Sequence, residues 1–203
     1  MAGFRKIDTT EALAALYGSP GAPALRKVAA RLTPLYRQWI MTARFCVVST
    51  VGPEGTDGSP RGHDGPVVQE LDPATLLMPD WRGNNRIDTL RNIVRDGRIS
   101  LMFMVPGSNT VVRVNGAAYV SDDPALLERF ADKGRLPRSV IVISIAEIYT
   151  QCARAPMRAG LWSRDDSAGL PTPGAILAEV SGGEEGGADY DAAWGERAAR
   201  TMW

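Results

Sequence analysis

The chain has one histidine, two cysteines and no surplus of charge, and each scarcity excludes a class of chemistry. With His63 the sole imidazole, no Ser-His-Asp or Cys-His catalytic arrangement stands out, and a zinc site has little to be built from. Cys46 and Cys152 lie far apart, without CxxC spacing, inside apolar or strand-like sequence. Two buried free thiols in a reducing cytoplasm are the expectation, in preference to a disulfide. Lys+Arg and Asp+Glu both total 23, so the formal net charge is zero. That balance argues against broad attraction to nucleic acid or an anionic membrane, and any anion site must be local. No run approaches the roughly 18 apolar residues of a membrane span. At the N-terminus Asp8 and Glu11 interrupt the stretch where a secretory signal needs apolar residues, so it reads as a short helix.

What is present supports a packed core. At 203 residues with 44% hydrophobic content, one domain is the simplest organisation. Thr9 or Thr10 can cap a helix through Leu16 that ends at Gly18; a second runs from about Pro23 to Leu32, and a third starts at Pro34 with Leu35, Trp39 and Ile40. After residue 43 the texture becomes β-like. "RFCVVSTVGPEGTDGSPRG" reads as strand, turn and strand; "PVVQELD" and "TLLMP" continue it across an Asp72-Pro73 turn. "RISLMFMVPG" and "TVVRVNGAAYV" form a pair joined at Pro106-Gly107-Ser108-Asn109. A short helix capped by Asp122 or Asp123 precedes "RSVIVISIAEIYTQC", a β-branched strand expected to be central. From residue 165 the chain is Gly- and Pro-rich, with "SGGEEGG" as a connector, and it closes in a helix from Asp189 towards Met202. The division expected is a helical segment over 1–43 packing on a barrel over 44–164, followed by an extension over 165–203. Six or so strands with few helices between them point to an antiparallel barrel with peripheral helices, a mainly β fold.

The stretch "WRGNNRIDTLRN", Trp81 to Asn92, carries the densest polar pattern. With Asn85 as N-cap, Ile87, Leu90 and Val94 form an apolar stripe with Ile93 beside it. Asp88 then takes the third helical position, Arg91 and Arg95 lie outside, and Gly97 ends the helix. Such a helix start, with Gly83, Asn84, Asn85 and Arg86 around it, suits a phosphate. Asparagine is also a common cap and arginine a common helix-surface residue, so the residues alone leave both readings open. Arg61 in "SPRGHDGP" is a second candidate cation, or a turn-flanking surface residue.

The ordered run "SPRGHDG … LLMPDWRGNNRIDTLRNIVRDGRISLMFMVPGSNTVVRVNGAA" resembles the pyridoxamine 5'-phosphate oxidase-like, FMN-binding split-barrel flavoproteins, over roughly Arg44 to Trp162. "QCARAPMRAGLW" resembles the closing motif of one uncharacterised bacterial branch. The resemblance implies a six-stranded antiparallel split barrel and a homodimer with FMN at the subunit interface. It implies that Arg61, Asn85 and Arg86 hold the FMN phosphate, with Gly62 and Asn84 beside them, and that Pro79, Asp80 and Trp81 run along the flavin ring. Arg113 of "RVNG" becomes an ion-pair partner or an interface residue. Arg158 and Trp162 resemble residues that close the site from the partner subunit. Makers of pyridoxal phosphate carry a late Arg-x-His motif, and this chain has no histidine after His63. The expectation is therefore an FMN-dependent oxidoreductase of unidentified small substrate, not the namesake reaction.

Other readings are a flavin or haem carrier without turnover, which the single histidine, His63, permits but does not favour, and a deazaflavin-dependent reductase. A nucleic-acid patch of Arg82, Arg86, Arg91, Arg95 and Arg98 is weakened by the interleaved Asp80, Asp88 and Asp96.

Overall fold

The structure, a computed structural model, describes residues 3–201. Three helices come first: α1 (Thr10–Tyr17), α2 (Ala22–Arg26) and α3 (Pro34–Thr42). The Thr9 hydroxyl accepts from the Ala12 N–H at 3.1 Å and Gly18 ends α1, as the sequence predicts. The second helix is shorter than expected. Ala29 exchanges backbone hydrogen bonds with Ile148, at 3.0 and 2.7 Å, so its peptide groups are committed to a sheet bridge and cannot continue a helix. From α3, Ile40 is fully buried, with Tyr36, Trp39 and Met41 packed around the core.

Seven strands follow: β1 (Phe45–Gly52), β2 (Gly55–Gly62), β3 (Gln69–Asp72), β4 (Thr75–Asp80), β5 (Arg98–Met104), β6 (Val111–Ser121) and β7 (Ser139–Gln151). They form one antiparallel sheet in the order β2-β1-β5-β6-β7-β4-β3. Helices α4 (Asp88–Arg95), α5 (Pro124–Glu128) and α6 (Arg154–Ala159) interrupt or follow the strands, and α7 (Pro173–Val180), α8 (Gly187–Ala192) and α9 (Trp194–Thr201) make up the extension. Met202, in the expected last helix, lies outside the described residues. The mainly β architecture with peripheral helices is the expected split-barrel type, with seven strands where six were expected. Strand β3, the end of the "PVVQELD" segment, is a four-residue edge folded onto β4 by the Asp72-Pro73 turn, as the sequence predicts.

Alternation explains the packing. Cys46, Val48 and Thr50 of β1 face inward, as do Ile99, Leu101 and Phe103 of β5 and Val112 and Val114 of β6. Strand β7 is buried on both faces over residues 140–143. Ile141, Ile143, Ile145 and Ile148 enter the main core, whereas Val140 and Val142 join Leu77 and Phe130 beneath α5. A strand covered on both faces reads as an unbroken β-branched run, which is what the sequence shows there. The longest pairing, β6 with β7, shifts register between Asn115 and Gly116, and a Cβ on Gly116 would overlap the Ser144 carbonyl oxygen.

Both cysteines are free thiols, but only Cys46 is buried; Cys152 is exposed. Cys152 stands next to the end of β7, where the alternation that buries its neighbours has stopped. Among the described residues no helix is long and apolar enough to cross a membrane.

Candidate functional site

Strands β2 and β4 never pair, yet their ends meet through an ion pair. Arg61, near the end of β2, donates from Nη1 to Asp80 Oδ1 at 2.6 Å, with side chains 23% and 13% exposed. Arg61 Nε and Trp81 Nε1 are buried without a hydrogen-bond partner. A buried donor left unpaired is costly, so two such groups at one place mark where a ligand acceptor would be well received.

Two cavities adjoin at these residues. The smaller, about 230 Å³, is lined by Arg61, Asp80, Trp81, Asn84, Asn85 and Arg86, with Gly83, Ser59, Ile87, Leu90, Arg138 and Ser139 completing it. The larger, about 560 Å³, has Arg61, Gly62, His63, Met78, Pro79 and Trp81 among its walls. His63 and Trp81 lie nearly parallel there, with ring centroids 6.4 Å apart, and His63 Nδ1 accepts from the Gly65 N–H at 3.0 Å. Eight of the sequence-predicted site residues thus border one or both cavities. Arg158 and Trp162 border neither. Arg158 is exposed on α6, and Trp162 Nε1 donates to the Ser108 carbonyl at 2.7 Å, at the hairpin between β5 and β6.

The turn into α4 differs from its sequence reading. The helix starts at Asp88, and Asn85 is not its cap. Asn85 takes the left-handed conformation, φ 63°, a region asparagine tolerates better than most residues, and its Oδ1 accepts from Arg138 Nη1 at 2.7 Å. Asn84 Oδ1 accepts from the Arg86 N–H at 3.0 Å, which rounds the turn. The buried face of α4 is Thr89, Asn92 and Ile93, whereas Ile87 and Val94 are exposed. Polar residues can be buried here because the strands supply partners: the Thr89 hydroxyl donates to Asp57, and Asn92 Nδ2 donates to Thr50 Oγ1 at 3.2 Å. Gly97, φ 78°, follows the helix as expected.

Charge around the cavity is unevenly spent. Arg86 pairs with Asp88 at 2.7 Å, which holds the Asp88 carboxyl below the usual range. On its other side Arg86 borders a recess with Glu54, Asp57, Asp88, Arg91 and Arg95. There Arg91 faces Asp88 at 3.7 Å and Arg95 pairs with Glu54, so that recess offers no unbalanced cation. Arg113, the "RVNG" arginine, reaches Ser100 Oγ at 3.4 Å and lies 5.6 Å from the Tyr149 ring centre, with no carboxylate partner among the described residues. Among the described residues no group of three or more His, Cys, Asp or Glu side chains is placed to hold a metal ion.

Arg138 escaped the sequence reading. It stands one residue before β7, and only the pairing of β4 with β7, which sets Asp80 opposite Ser139, brings it to the turn. A basic residue entering a strand is too common a pattern to single it out.

Residues 32–152 match the family described as pyridoxamine 5'-phosphate oxidase. Among solved structures, HupZ of Group A Streptococcus is similar at 19% identity over 59% of this chain and 93% of that one, with TM-score 0.49. A candidate pyridoxamine 5'-phosphate oxidase from Lactobacillus delbrueckii shares 23% identity over 60% and 95%, at 0.48. An FMN-binding protein from Syntrophomonas wolfei shares 14% over 57% and 88%, at 0.42. No curated protein matches.

Proposed function

The chain belongs to the pyridoxamine 5'-phosphate oxidase family, and from that membership we propose that it is an FMN-binding flavoprotein and an oxidoreductase for a small molecule. The observation that carries this reading is the junction of the two cavities: a small one ringed by Arg61, Arg86 and Arg138, and a larger one floored by Met78 and Pro79. The residues fit the cofactor. Arg61 Nε lacks an acceptor that a phosphate oxygen would supply, and Trp81, with an unpartnered Nε1, stands between the phosphate-sized and ring-sized spaces. When bound, FMN would supply the hydride or electron transfer. Asn84 and Asn85 shape the turn, Arg61 and Arg86 hold the phosphate end with Asp80 beside them, and Gly62 and Pro79 line the larger cavity where a ring would pass. Asp80 also keeps Arg61 in place through their ion pair.

The namesake synthesis of pyridoxal phosphate is not part of this proposal, because the chain has no histidine beyond His63. The protein acts as a homodimer in this reading, with Arg158 and Trp162 delivered to the other copy's flavin; their position away from both cavities of their own chain is in keeping with that.

The experiment is the visible absorption spectrum of purified protein, with identification of what acid releases. Two flavin bands and free FMN are expected. A colourless protein that also fails to take up added FMN refutes the reading. Changing Arg61 and Arg86 together to alanine should leave a folded protein without flavin.

A further inference from the structure

We propose that Arg138 is the residue by which the small cavity distinguishes a phosphorylated flavin from its unphosphorylated form, an inference that rests on the flavoprotein reading above. Three guanidinium groups reach the cavity, and two of them arrive with a carboxylate: Arg61 with Asp80 at 2.6 Å and Arg86 with Asp88 at 2.7 Å. Each of those pairs has no net charge. Arg138 alone of the three is held by a neutral group, the Asn85 amide oxygen at 2.7 Å. A phosphate monoester carries about −1.5 to −2 near neutral pH, so the net attraction the cavity offers it comes mainly from Arg138.

Its mounting suits that task. The preceding Pro137 is buried, and the Arg138 N–H donates to the Asp80 carbonyl at 3.0 Å, so the backbone is fixed while the side chain stays exposed. The planar fork can turn from one amide oxygen to two phosphate oxygens without moving its base, and a bidentate contact of that kind is strong. Asn85 is then a positioning residue. Its left-handed turn and side-chain oxygen park the guanidinium beside the cavity before the ligand arrives.

The test titrates apo-protein separately with FMN and with riboflavin, following flavin fluorescence. Wild type should prefer FMN strongly. In Arg138→Gln the ratio of the two dissociation constants should fall about tenfold or more, the size expected for a charge-assisted contact, with riboflavin affinity unchanged. Arg138→Lys should fall between, since it keeps charge but loses the fork. A wild-type ratio in Arg138→Gln overturns the Arg138 assignment and leaves the flavoprotein reading standing. Failure of wild type to bind either flavin overturns both. If the ratio is unchanged but inorganic phosphate alters flavin fluorescence in FMN-loaded wild type and not in FMN-loaded Arg138→Gln, the arginine serves a phosphate other than the flavin's, and the inference as stated is wrong.

Discussion

Replacing Gly52 by alanine tests how the turn at the cavity is held. Gly52 ends β1 beneath α4, its backbone is not in the left-handed region, and an added Cβ would overlap the Asn92 amide oxygen while sitting at an ordinary 3.5 Å from the Asn92 Cα. The obstacle is therefore the Asn92 side chain and not the helix backbone. Asn92 is 8% exposed and donates to Thr50, itself 4% exposed. Displacing it forfeits that hydrogen bond and leaves buried polar groups unpaired, which together cost about 2–4 kcal/mol. For a chain of this size the loss lowers Tm by roughly 4–16 °C. Urea unfolding of wild type, Gly52→Ala, Asn92→Ala and the double variant separates the causes. Once Asn92 is alanine the space is free, so Gly52→Ala should add little, a coupling of about 2 kcal/mol or more. Equal costs of Gly52→Ala in both backgrounds would refute the packing argument. Flavin retention should fall with the single variant too, because α4 follows directly on the turn that carries Asn84, Asn85 and Arg86.

Glu70 ties β3 to α3 through Arg37, at 2.5 and 2.6 Å, and that hydrogen-bonded pair lowers its carboxyl from the ordinary value. A depressed carboxyl stabilises the fold above its unfolded value of about 4.3 and loses that effect as pH falls through the folded one. Glu70→Gln should accordingly cost under about 1 kcal/mol at pH 7, discounted for exposure, and the gap from wild type should close in acid; a gap independent of pH would discard the pair. Burial pushes the Cys46 thiol up to about 12, whereas Cys152 is exposed. A thiol reagent should modify one cysteine in the native protein and two in denaturant, and rapid native modification of both would contradict the packing of β1. If the site is interfacial, sedimentation should give a dimer at micromolar concentration; a monomer holding stoichiometric FMN would exclude that arrangement.

Much of the framework was legible because it depends on near neighbours in the chain. The Thr9 cap, the Asp123 cap on α5 and the glycine after α4 each follow from a side chain or a backbone angle within a few residues. The strand segments were readable from alternation, and β7 from its β-branched start, residues 140–143. Arg61, Asn84, Asn85 and Arg86 were found as a group because a short turn and a strand end carry them. The roles within that group were less legible: Asn85 looked like a helix cap and is instead the hydrogen-bond partner of a distant arginine.

Local pattern alone carried the mainly β class, the polar turn that borders the small cavity and the scarcity of histidine that keeps pyridoxal phosphate synthesis out of the proposed function. Tertiary structure alone decided which face of α4 is buried. Of the expected apolar stripe, Leu90 packs on the core beside Ile93 while Ile87 and Val94 are exposed, and Thr50 and Asp57, far off in the chain, make Thr89 and Asn92 inward side chains as well. It alone ended α2 early, since the Ala29 peptide found a partner in β7. It alone brought Arg138 to the cavity, across 53 residues, by pairing β4 with β7. Hydrogen-bond partners and charge balance are properties of groups that meet in space, and a linear pattern carries them only where the meeting is local.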